Sequence, residues 1–65
     1  MDSIIIGQRL RALRGEKSVE EVAKQLEISK SALFMYERGE RIPRDEIKKK
    51  LALYYESTVE TIFFA

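Results

Sequence analysis

Residues 18–39, SVEEVAKQLEISKSALFMYERG, constrain the fold more than any other part of the chain. Ser18 stands three residues before Glu21, the S-x-x-E signature of a helix start, and leads into Val22, Ala23 and Leu26 at helical spacing. Ser29 is placed to cap a second segment with Leu33 and Tyr36 facing inward, and Gly39 stops it. Only the stretch LEIS separates the two. Helices joined by a turn of about three or four residues cross steeply and need a small residue where their backbones approach. Ala23 sits at that point, and Val22, Leu26, Ile28, Leu33 and Tyr36 have the spacing of a shared core. A helix-turn-helix over residues 19–38 fits these demands. Two ordinary packed helices fit them as well, because spacing alone does not separate the two.

The rest of the chain reads as helices of the same size. Ser3 is a candidate N-cap for a helix carrying Ile6, Leu10 and Leu13, which Gly15 can end in the left-handed region. After Gly39, GERIPRDE is a loop whose Pro43 cannot continue a helix. Ile47, Leu51, Tyr54 and Tyr55 mark a fourth amphipathic helix, and Thr58 caps a last turn or two with Val59, Ile62 and Phe63. The expected architecture is all-α, five short helices around one core, in a single domain spanning residues 1–65.

Composition removes whole classes of function. There is no cysteine and no histidine, so disulfides, thiolate metal sites and the usual zinc sites are excluded, and no metal or cofactor is expected. The commonest general base and the commonest thiol nucleophile are missing too. Gly7, Gly15 and Gly39 form no phosphate loop, and Glu20, Glu21, Asp45 and Glu46 are all accounted for as helix-start residues. An enzyme is not expected. No apolar run approaches the roughly 20 residues of a membrane span, and SIIIG is too short for a signal-peptide core. A cysteine-free chain of 45% hydrophobic and 35% charged residues points to a folded domain compatible with the cytoplasm.

Net charge is +1, which barely favours nucleic acid. Residues 1–17 carry Arg9, Arg11, Arg14 and Lys17 against Asp2 and Glu16; residues 18–39 carry three basic and four acidic groups; residues 40–65 balance. Any recognition of DNA must therefore come from geometry.

Beyond these physical constraints, the sequence SVEEVAKQLEISKSALFMYERGERIPRDEIKKKLALYYESTVETIFF resembles the lambda-repressor and Cro-like helix-turn-helix regulators of the XRE type. The S-x-E-E-x-A entry, the YERG exit, and the P-R-D-E-I and T-V-E-x-I-F blocks carry the resemblance, which runs from about residue 7 to residue 64. It implies a DNA-binding transcriptional regulator whose third helix, residues 29–38, lies in the major groove of double-stranded DNA. Advancing about 100° per residue puts Ser29, Leu33 and Tyr36 on the core side. Ser31, Phe34, Met35 and Arg38 fall opposite, with Lys30 at the flank.

On that reading the base-facing residues are Lys30, Ser31, Phe34 and Met35: Lys30 donating to guanine, Ser31 donating or accepting, Phe34 and Met35 packing on thymine methyls. Phosphate contacts fall to Ser18, Val19, Ser29, Arg38, Arg41 and Arg44, with Arg9 or Lys17 as further candidates. The start of the second helix, Ser18 to Glu20, offers free N–H groups and the positive end of the helix dipole. The family usually has glutamine where Val19 stands, so that anchor is weakened here. It often has glycine where Glu27 stands, in a turn that needs a left-handed residue, at an expected cost of about 1 kcal/mol. Arg14 and Glu37 match a family pair that joins the first and third helices. Lys48, Lys49 and Lys50 read as a solvated face.

Leu53, Phe63 and Phe64 are candidates for a dimer surface, with core filling the competing role for Phe63. Two functions remain open. One is a homodimeric DNA-binding regulator, a repressor by occlusion. The other is a helix-turn-helix fold serving as a protein-interaction module, an antitoxin-like or anti-repressor subunit, in which Phe34 and Met35 would meet a protein partner.

Overall fold

A computed structural model describes residues 1–65 as four α-helices and a terminal π-helix: α1 Ser3–Arg14, α2 Val19–Leu26, α3 Lys30–Glu37, α4 Asp45–Tyr54 and the π-helix Glu60–Phe64. No strand is present. Ile6 and Leu10 of α1, Val22, Ala23 and Leu26 of α2, Leu33 and Tyr36 of α3, Ile47 and Leu51 of α4, and Ile62 and Phe63 of the π-helix form one buried cluster. No helix is long and apolar enough to cross a membrane.

Helix starts follow the expected chemistry with one shift. Ser18 accepts from Glu21 N–H and Ser29 from Ala32 N–H, each at 3.0 Å, and Thr58 accepts from Thr61 N–H at 3.0 Å. For α1 the cap is Asp2, not Ser3; its carboxylate accepts from Ile4 N–H at 2.9 Å and Ile5 N–H at 3.1 Å. An ionised carboxylate facing the positive end of a helix dipole makes the stronger cap.

Three helix ends close in the same way. After α2, Ile28 N–H reaches Ala23 O at 3.0 Å and Glu27 N–H reaches Lys24 O at 3.2 Å, with Glu27 left-handed at φ 59°. After α3, Glu40 N–H reaches Met35 O and Gly39 N–H reaches Tyr36 O. After α4, Ser57 N–H reaches Ala52 O and Glu56 N–H reaches Leu53 O, with Glu56 at φ 54°. Each is a Schellman closure. The turn between α2 and α3 therefore forms with glutamate at its left-handed position. Lys50 of α4 braces it, donating to Leu26 O at 3.3 Å and pairing with Glu27 at 3.5 Å.

The most extensive helix–helix contact joins α1 to α3, and glycine makes it possible. A Cβ at Gly7 would come within 2.8 Å of Tyr36 O and closer still to Glu37 O. A Cβ at Gly39, itself at φ 75°, would come within 2.9 Å of Ile4 Cα. The α1 backbone therefore lies directly on the C-terminal end of α3.

Several side chains depart from the expected faces. Leu13, placed inward by spacing, is 39% exposed, because it sits at the rim beside Ser57, Thr61 and Ile62. Lys48 is buried, its stem packed so that the ammonium lies 5.8 Å from the Phe63 ring and 5.4 Å from the Phe64 ring. A lysine can bury its methylenes while its head reaches a polar or aromatic surface. The lysine run is thus no uniform solvated face: Lys48 covers the core, Lys50 braces the turn, and Lys49 is exposed.

Candidate nucleic-acid interface

The α3 helix presents its outward face as Lys30, Ser31, Phe34 and Arg38, all exposed, with Met35 half-buried. Leu33 and Tyr36 are buried beneath them. Ser29, expected on the core side, is exposed; its hydroxyl oxygen is occupied by the helix cap, leaving its O–H free to donate. Phe34 is 40% exposed. The Arg38 guanidinium lies 5.5 Å from its ring, and these two side chains line one open cleft with Arg11, Arg14 and Glu37.

Arg14 and Glu37 hold α3 in its orientation. Arg14 Nε donates to Glu37 Oε2 at 2.7 Å and an Nη donates to Oε1 at 3.1 Å, a two-pronged pair. The side chains are only 11% and 4% exposed. A further Arg14 N–H donates to Lys17 O at 2.8 Å. The hydrogen bond to Glu37 raises the Arg14 pKa against the opposing effect of burial. Beside this pair lies the Tyr55 hydroxyl, buried and without a hydrogen-bond partner. Burial, and after it the Glu37 carboxylate, pushes its pKa up to about 12.

At the start of α2 the side chains divide. Ser18 caps the helix. Val19 belongs to the core at 8% exposure, so its side chain is no phosphate ligand and only its backbone N–H remains for that role. A β-branched apolar residue is drawn into the core where an amide would have stayed outside. The Glu20 carboxylate stands 3.6 Å from the Lys30 ammonium. Its own backbone N–H, and then Lys30, hold it below the usual carboxylate range.

The remaining cations differ in availability. Arg41 and Arg44 are exposed and form no ion pair. Arg38 sits 3.7 Å from Glu40. Arg9 is committed elsewhere: its guanidinium donates to Ile62 O at 2.9 Å and Ala65 O at 2.6 Å, fastening the π-helix to α1. Lys17 lies 4.7 Å from the Tyr54 ring. The Arg9 guanidinium is thus occupied by carbonyls, whereas Lys17 remains exposed.

The dimer-surface candidates also separate. Phe63 is 2% exposed and fills the core, so it is withdrawn from any surface. Leu53 is 81% and Phe64 60% exposed. Phe64 has apolar company that helical spacing alone did not reveal, Met1 and Ile5, which line one groove with it.

Two short helices crossing at a left-handed turn, with the second showing an exposed mixed face, define a helix-turn-helix domain. The helix-turn-helix family model HTH_3 matches residues 9–62. The chain belongs to this family, the XRE and lambda-repressor-like helix-turn-helix proteins, whose members are DNA-binding regulators. Comparison with curated proteins and with solved structures returned no match.

Proposed function

We propose that the chain is a sequence-specific transcriptional regulator in the cytoplasm, a repressor that blocks access to its operator by lying with α3 in the major groove. The observation that carries this reading is the outward face of α3, where Lys30, Ser31 and Phe34 are exposed with Met35 half-buried beside them. Such a row offers a donor for guanine, a hydroxyl for either base type and apolar surface for thymine methyls. Arg41 and Arg44, unpaired on the loop that leaves α3, supply backbone contacts, supported by the first-turn N–H groups of α2 and α3 behind Ser18 and Ser29.

A homodimer completes the reading. Half-sites of a palindrome lie about 34 Å apart, more than the 27 Å length of one protomer. Phe64, with Met1 and Ile5 beside it, is the apolar surface that supports self-association. Leu53, on a separate groove with Gln25 and Leu26, is a second candidate.

A specific observation favours one alternative. Phe34 is a large aromatic residue with 40% of its surface open, and Val19 contributes no polar side chain. Both suit a protein-interaction module whose α3 face meets another protein. Selection from a randomised duplex pool at low salt separates the two. An enriched motif supports the regulator, and Phe34→Ala should then change it. A pool with no enrichment transfers Phe34 and Met35 to the protein-partner reading.

A further inference from the structure

Lys30 opens α3 and Glu20 lies in the first turn of α2, yet their charged ends are 3.6 Å apart. Both side chains are more than half exposed, at 57% and 70%. An exposed pair of this kind adds little stability. The helices it spans are already joined by Val22, Leu26 and Leu33 in the core and by the closure at Glu27, which Lys50 braces from α4. Ser18 supplies the α2 cap, and Glu21 stands in the same first turn as a second acid. The bridge has no structural duty left to perform, but it restrains a cation at the leading end of the α3 face.

We infer that Glu20 is a positioning residue for Lys30 that makes this lysine read guanine instead of neutralising whichever phosphate is nearest. The inference rests on the DNA-binding reading above. A free lysine is a point charge on a flexible stem, and phosphate contacts carry no sequence information. With Glu20 beside it, an approaching phosphate meets a carboxylate as well as an ammonium and is repelled by the first. Guanine brings two acceptors, O6 and N7, and no net charge. An ammonium has three N–H donors, so Lys30 can give two to guanine while its charge stays beside the Glu20 carboxylate, 3.6 Å away in the free protein. Penalising the wrong partner in this way raises specificity without strengthening the right one.

The experiment compares the full chain with Glu20→Gln, Lys30→Ala and the double variant, by selection from a randomised duplex pool and by the salt dependence of binding. Glutamine keeps the size and helix propensity of the residue it replaces. We expect a wild-type motif containing a guanine whose preference Lys30→Ala loses. Glu20→Gln should blur that position, tighten binding to unrelated duplex a few-fold and steepen the log–log salt slope by about 0.9, one further phosphate neutralised. In the Lys30→Ala background Glu20→Gln should change neither motif nor slope. An unchanged motif and slope for Glu20→Gln, or an equal slope change with and without Lys30, overturns the inference and leaves DNA binding intact. A wild-type chain that enriches no motif overturns both together.

Discussion

At the scale of single residues, the Arg14–Glu37 pair and the Tyr55 hydroxyl beside it make opposite demands on the same space. Removing one partner of a buried pair strands the other charge. Glu37→Ala should therefore lower stability by roughly 3–5 kcal/mol, read as a drop in the urea midpoint with an unchanged slope. In a domain this small that loss approaches the whole margin. Tyr55 behaves differently, because its hydroxyl has no partner to lose. Its folded-state pKa of about 12 lies above the ordinary value of 10.0. The neutral phenol is thus the form the fold favours: its contribution is full below about pH 10 and is lost as pH rises through about 12. Tyr55→Phe should leave stability at neutral pH unchanged or slightly raised and flatten the alkaline fall. Denaturant midpoints measured across that range, beside a tyrosinate absorbance titration, check it. A fall of the same depth in the variant would assign the loss to other groups.

At the scale of elements, the placement of α3 depends on two glycines, Gly7 inside α1 and Gly39 just after α3. The α1 backbone approaches α3 so closely that Gly7 has no room for a methyl group against two backbone carbonyls. Gly7→Ala should cost about 1–3 kcal/mol by forcing the helices apart, even though alanine is the better helix former. Thermal melts measure the loss. A variant as stable as the parent would mean that the contact gives way freely. The α2–α3 turn makes the opposite point. A glutamate at φ 59° is tolerated there because the Schellman bonds and Lys50 hold the closure. Glu27→Gly should raise stability by at most about 1 kcal/mol, since relief of the left-handed strain is partly offset by lost chain entropy and by the loss of the Lys50 pair.

At the scale of the whole molecule, charge and apolar surface lie in different places. Net charge of +1 gives the chain no general pull on DNA. Lys30 and Arg38 stand beside carboxylates, whereas Arg41 and Arg44, on the loop that leaves α3, are exposed and form no ion pair. Each should contribute about 0.9 to the log–log salt slope, so Arg41→Ala should lower the slope by about that amount and weaken binding to all sequences alike. Apolar exposure gathers instead at Phe64, Met1 and Ile5. If two copies meet there, Phe64→Asp should turn the dimer into a monomer by sedimentation at micromolar concentration and leave the melting temperature nearly unchanged. A dimer that survives the change would move the interface to another surface, with Leu53 next in line.

Much of this was legible in the residues themselves. Serine caps, glycine and proline stops and the period of the apolar residues act within a turn or two of chain, and they marked all five helices. The outward placement of Ser31, Phe34 and Arg38 follows from helical spacing, whereas the left-handed demand at Glu27 came with the family resemblance. What the tertiary structure decided is which long side chains are free. Arg9, Lys17, Lys48 and Lys50 look like solvated charges in sequence, yet each meets a carbonyl or an aromatic ring that only the packed helices bring near. Val19 and Phe63 are drawn into the core, and Lys30 meets Glu20, because packing of the helices brings positions distant in sequence together. Local propensity acts through the chain and can be read along it. Burial and charge pairing act through space, and the space exists only after the helices have packed.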